Sequence, residues 1–173
     1  MKLRHVLAFA ALAAAAPLAA ERLQFDHRLY PPLQQVLDSG DKAMVDFNAD
    51  DPRRLVDLIA VKGTSAKDWS EAMEIVSIPR PRNVATARDW MAILRRQSMA
   101  HCTSSFTVLA EDARSVTFER RSPACPGEPT KMGLYRLVAG KRSWFELAVL
   151  AKDDLAPEAR AQWLALLASA HLD

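Results

Sequence analysis

The sequence predicts an α+β protein: an antiparallel sheet of about six strands, with one inserted and one C-terminal helix packed on it. Two observations carry the prediction. Apolar runs of strand length recur in pairs around short polar turns between Leu55 and Leu150. Two stretches with helical spacing, one after Thr86 and one after Pro157, interrupt and close that series, and such amphipathic helices bury their stripe against a sheet.

The chain starts with Met1-Lys2-Leu3-Arg4-His5 and an uninterrupted apolar run from Val6 to Ala16, the charge and length pattern of a secretory leader. The run is too short to cross a bilayer as a helix. Leu18 and Ala20 occupy the positions a signal peptidase reads, so residues 1–20 are expected to be a cleaved signal peptide, with Glu21 the first residue of a single domain spanning 21–173. An uncleaved anchor is the competing reading. No Cys follows the run, which argues against a lipoprotein.

Residues 21–48 are the least regular. Gln24 to Tyr30 alternates in part like a strand before Pro31-Pro32, which reads as a stop; Asp38-Ser39-Gly40-Asp41 is a turn, and Lys42 to Phe47 fits a short strand. Leu55 to Val61 and Met73 to Ile78 follow as two strands joined through Gly63 to Ser70. Thr86 opens a helix, with Asp89 three residues on as in a capping box and Ala87, Trp90, Met91 and Leu94 on one face. Ser104–Ala110 and Ser115–Arg121 form a hairpin, and Met132–Val138 and Trp144–Leu150 form another. In the last of these, Phe145, Leu147 and Val149 share one face and Trp144, Ala148 and Leu150 the other, as in a central strand covered on both sides. Pro157 then lies in the first turn of a helix carrying Trp163, Leu166 and Leu167.

Charge and cysteine content set the environment. Of 23 Lys and Arg residues two lie in the leader, while all 21 acids lie beyond it, so residues 21–173 have no formal net charge. The pI of about 8.7 belongs to the precursor and does not point to nucleic acid. Cys102 and Cys125 are the two cysteines, and in an oxidising compartment such a pair forms one bridge, tying the end of the Thr86 helix to the loop Pro123–Pro129. A redox-active pair is the alternative, without a C-x-x-C to support it. The expected location is therefore periplasmic or secreted.

Asp68-Trp69-Ser70-Glu71 leading into a strand, the helix with Trp90, the Cys after it, the second Cys two strands later and Lys141 to Val149 together resemble a known group. These are uncharacterised periplasmic proteins of proteobacteria with a Trp-Thr-Glu-Met type motif in the same order of elements. The order is also similar to the PsbP-like sandwich. The resemblance covers about Leu55 to Leu172 and departs from the pattern at Ser70 and at Ala72 before Met73. It implies helices covering a central antiparallel sheet, and it brings no activity with it.

Each residue set with chemical potential has a plainer reading. Asn48-Ala49-Asp50-Asp51 clusters oxygen ligands, yet a calcium loop needs Gly where Arg53 stands. His27, His101 and His171 lack metal-ligand spacing. Ser104-Ser105 beside His101 is the nearest approach to a nucleophile cluster, without a motif that would activate it. Arg80, Arg82, Arg88, Arg95 and Arg96 crowd one stretch, and Arg120, Arg121, Lys131, Lys141 and Arg142 another; balanced by nearby acids, both read as solvated faces. Trp69 stands out among four tryptophans because it lies in a polar loop.

These readings call for no cofactor or metal, no nucleic-acid partner and no membrane anchor once the leader is removed. They predict a non-enzymatic module that binds a protein or envelope component through the sheet face or the loops around Trp69, Arg80 and Arg82. An envelope hydrolase with a non-standard site is the alternative, and an inhibitor or immunity protein is a special case of the first.

Overall fold

The computed structural model describes residues 21–48, 50–51, 53–127 and 130–173; the leader read at residues 1–20 lies outside them. The chain runs β1 (Leu23–Gln24), α1 (Pro31–Ser39), β2 (Val45–Asn48), β3 (Leu55–Ser65), β4 (Asp68–Pro79), α2 (Ala87–His101), β5 (Ser105–Glu111), β6 (Ser115–Arg121), β7 (Met132–Ala139), β8 (Ser143–Ala151), α3 (Pro157–Ser169) and β9 (His171–Leu172). Among the described residues, seven strands form one antiparallel sheet in the order β2-β3-β4-β8-β7-β6-β5, and β1 pairs separately with β9. The α+β class and the hairpins stand as predicted.

The sheet has seven strands rather than about six, and a helix begins where the prolines suggested a stop. Pro31 and Pro32 occupy the first turn of α1, where a missing N–H costs nothing and the fixed φ suits a helix. Gly40 closes α1 in the left-handed conformation at φ 63°. The strand expected over Lys42–Phe47 begins only at Val45, because Asp41 caps a 3₁₀ turn over Lys42–Met44 with its side chain.

Strand periodicity sorts the side chains into two cores. On one face Ile59, Met73, Leu134, Leu147 and Val149 meet Leu33 of α1 and Trp163, Leu166 and Leu167 of α3. On the other, Val116, Phe118, Leu137, Trp144 and Ala148 meet Ala87, Trp90 and Met91 of α2. Strand β8, the middle strand of the seven, feeds both cores as its two-sided apolar pattern required. The capping box of α2 is complete: Thr86 Oγ1 accepts from the Asp89 amide and the Asp89 carboxylate accepts from the Thr86 amide.

A buried carboxylate lies inside the α1/α3 core. Glu71, 3% exposed, accepts from Trp163 Nε1 at 2.8 Å, Lys62 Nζ at 2.6 Å and the Tyr30 hydroxyl. A buried carboxylate is tolerated when its lone pairs are filled in this way. Here it joins β4 to β3, to α3 and to the residue that precedes α1.

Candidate functional site

The stripe of α2 that packs on the sheet changes chemistry along its length. Ala87, Trp90 and Met91 fill the core, and the same face continues through Leu94, Gln97, Ser98 and His101. Over these last two turns the helix roofs a cavity of about 330 Å³ above the sheet, within the range of small-ligand sites.

Register builds the floor. Glu74, Ala148, Tyr135 and Phe118 lie directly across from one another on β4, β8, β7 and β6. The next row is Ala72, Leu150, Gly133, Arg120 and Phe106, and the row on the other side is Val76, Glu146, Leu137 and Val116. Glu74 and Glu146 are thus diagonal neighbours on adjacent strands, about 7–8 Å apart at the backbone and closer at their side chains. Tyr135 stacks on Phe118 with ring centroids 4.9 Å apart. That position requires a glycine beneath it, since a Cβ at Gly133 would fall 2.4 Å from the tyrosine ring.

The electrostatics follow from this placement. Glu146 is 9% exposed; burial first, and then the Glu74 charge beside it, push its carboxyl up to about 7, against the weaker pull of Arg54 and Arg120. Burial also raises Glu74. The cleft accordingly offers a carboxyl pair that gains a proton near neutrality, set among Leu94, Phe106, Phe118 and Leu150, with Arg120 in the sheet floor and His101 on the α2 side. Such a pair can hold a basic group or exchange a proton, and its burial makes either interaction stronger than in water.

No family model and no curated protein matches this chain. The site is therefore read from its geometry.

The residues singled out from sequence fall elsewhere. Trp69 sits at the start of β4 with Lys152 Nζ 5.3 Å from its ring centroid, while Arg80 and Arg82 follow the other end of that strand, roughly 35 Å away along an extended backbone. The three do not make one surface. Arg80 and Arg82 instead meet Lys141 and Arg142 across a hollow beside the β7–β8 turn, so one residue pair from each predicted basic stretch comes together. Arg88, Arg121 and Lys131 are ion-paired with Glu111, Glu119 and Asp153.

Cys102 and Cys125 form the disulfide, with Cα atoms 5.3 Å apart. It fastens the end of α2, and thereby the cleft roof, to the loop before β7. Ser104 lies in a chain of hydroxyls, 2.9 Å from Ser98 and 2.7 Å from Ser122, and His101 takes no part in it. Among the described residues no three His, Cys, Asp or Glu side chains gather as metal ligands, and no helix is long and apolar enough to cross a membrane.

Sequence reasoning missed Glu74 and Glu146 because each is one polar residue in an alternating strand. Their signal was available only jointly: each interrupts the apolar set of a face that the same strands otherwise bury.

Proposed function

We propose that the protein is an exported, periplasmic, non-enzymatic binding module, and that the α2 cleft holds a basic group, ammonium or guanidinium, of an envelope component or partner protein. The observation that carries this reading is the Glu74–Glu146 pair set in an apolar cleft of ligand size. A cation entering the cleft replaces the proton that the pair takes up near neutral pH. The disulfide and the leader-like first 20 residues support export to an oxidising compartment. The two-sided cover of a central antiparallel sheet is also the architecture that the resemblance to the PsbP-like sandwich implies.

Calorimetric titration with ethanolamine and with lysine amide tests the reading. Binding is expected to release protons when measured at about pH 6.5, and to be lost in Glu146→Gln. Absence of heat and of cleft chemical-shift changes for both amines would sink it.

A hydrolase is the second reading, favoured by one observation: a carboxyl held near neutrality is suited to donate a proton to a leaving group. It predicts that Glu146→Gln abolishes turnover of an envelope substrate while leaving substrate binding intact, the reverse of the binding-module outcome.

A further inference from the structure

The β7–β8 turn already holds an anion. The backbone N–H groups of Lys141, Arg142 and Ser143 donate to the Glu21 carboxylate at 2.6, 2.8 and 3.1 Å. Consecutive amides converging in this way form an anion nest. Gly140 leaves room for it, because a Cβ there would lie 2.6 Å from Glu21 Oε2 and 2.4 Å from the Ser143 carbonyl oxygen. Partial burial works to raise the Glu21 carboxyl, and the three N–H groups with the Lys141 charge overcome it and hold the group below its ordinary value.

Next to the nest lies the hollow between residues 80–85 and 141–142, about 800 Å³ in volume. Its rim carries Arg80, Arg82, Lys141 and Arg142, and among the described residues none of the four is in an ion pair. The two loops are locked together by the Arg80 amide, which donates to the Arg142 carbonyl at 2.7 Å. Of the four, Lys141 is the one whose charge acts on the Glu21 carboxylate, so the rim carries a surplus of positive charge beside the converging backbone amides. Guanidinium forks and backbone amides both match the several acceptor oxygens of a phosphate better than a single carboxylate.

We propose that this hollow is a binding site for a phosphate group, free or as a monoester, and that Glu21 is the internal occupant which the ligand displaces from the backbone nest. The site shares no residue with the α2 cleft, so the two readings stand or fall separately. Glu21 thereby acquires a function of its own, its carboxylate shielding the nest until a stronger anion arrives.

Titration with sodium phosphate at constant ionic strength, against a chloride control, tests this on the protein as purified, with its N-terminus established by mass. The amide resonances of residues 140–143 are followed in wild type, Glu21→Ala and the surface double variant Arg82→Ala/Arg142→Ala. Saturable shifts at 141–143 are expected. If Glu21 occupies the nest about nine-tenths of the time, Glu21→Ala binds phosphate about tenfold more tightly. The double variant is expected to bind at least about tenfold more weakly, with its fold checked by unchanged spectra elsewhere.

A second arm identifies the source of the phosphate. Sedimentation with phosphatidylcholine vesicles containing phosphatidic acid, but not with phosphatidylcholine alone, assigns the site to a lipid headgroup; saturable phosphate shifts without sedimentation assign it to a free phosphate. Three results would overturn the proposal: no saturable shift in wild type and Glu21→Ala, equal affinity in the two, or full affinity in the double variant.

Discussion

Replacing Glu146 by Gln changes one buried group from titratable to permanently neutral at nearly constant shape. Glu146 faces Glu74 on β4, Arg120 on β6, Tyr135 on β7 and His101 on α2 within the cleft, with Arg54 ahead of β3 also acting on it. Its carboxyl rises from an ordinary 4.5 to about 7 in the fold. Between those values the folded protein binds a proton that the unfolded chain does not, so stability falls as pH rises through the window and levels off above it. A tenfold change in proton affinity is worth ~1.4 kcal/mol, which puts the loss across the window at about 3 kcal/mol. Glu146→Gln removes that loss. Urea unfolding at about pH 5 is expected to give wild type and variant the same stability within ~1 kcal/mol, and at about pH 8 to show the variant more stable by about 2–3 kcal/mol. Titrating groups that do not interact with Glu146 contribute to both proteins and cancel in the difference; Glu74, whose charge acts on Glu146, is the exception. Parallel pH profiles for the two would refute the reasoning, since they would mean that Glu146 ionises in the fold as it does in the unfolded chain.

Three further outcomes follow from the packing. Titration of thiols in the denatured, unreduced protein is expected to find none, and reduction of the Cys102–Cys125 bridge should lower stability by roughly 3 kcal/mol, judged by the shift in urea midpoint. Glu71→Ala strands the Tyr30 hydroxyl and the Trp163 N–H inside the α1/α3 core and is expected to cost about 3–5 kcal/mol by the same assay. Thr86→Ala breaks the capping box of α2 and should cost ~1 kcal/mol, with a matching loss of hydrogen-exchange protection in the first turn of that helix.

Local chemistry was legible wherever one signal decided it. The Thr86–Asp89 pair marked the start of α2, the two-sided apolar pattern of β8 marked a central strand, and an isolated pair of cysteines behind a leader-like start marked the bridge. Helix α1 was not legible, because Pro-Pro serves equally as a stop and as a first turn, and only Leu33 and Tyr30 finding a core decides between them. The cleft was illegible for a different reason. Glu74 and Glu146 are far apart in sequence, and what makes them a pair is the antiparallel β4–β8 register, a non-local fact that neither strand states alone. Trp69 and Arg80 show the converse: near in sequence, they are carried to opposite ends by the strand between them, and Trp69, expected in a polar loop, is itself part of that strand, paired with Gly63.

The order of strands divides the sheet into two meanders, β2-β3-β4 and β5-β6-β7-β8, each built from neighbours in sequence and meeting at one seam between β4 and β8. Each meander is closed by connections between neighbours in sequence, whereas the seam closes the longest loop, the segment from β4 through α2 and β5–β7 to β8, and so carries the largest loop-closure cost. The disulfide lies wholly on the second side, so it does not cross-link the two meanders. Glu74 and Glu146 lie diagonally across the seam. A cation held between them stitches the halves together, and its binding is expected to appear as slowed amide exchange along β4 and β8 rather than along the outer strands.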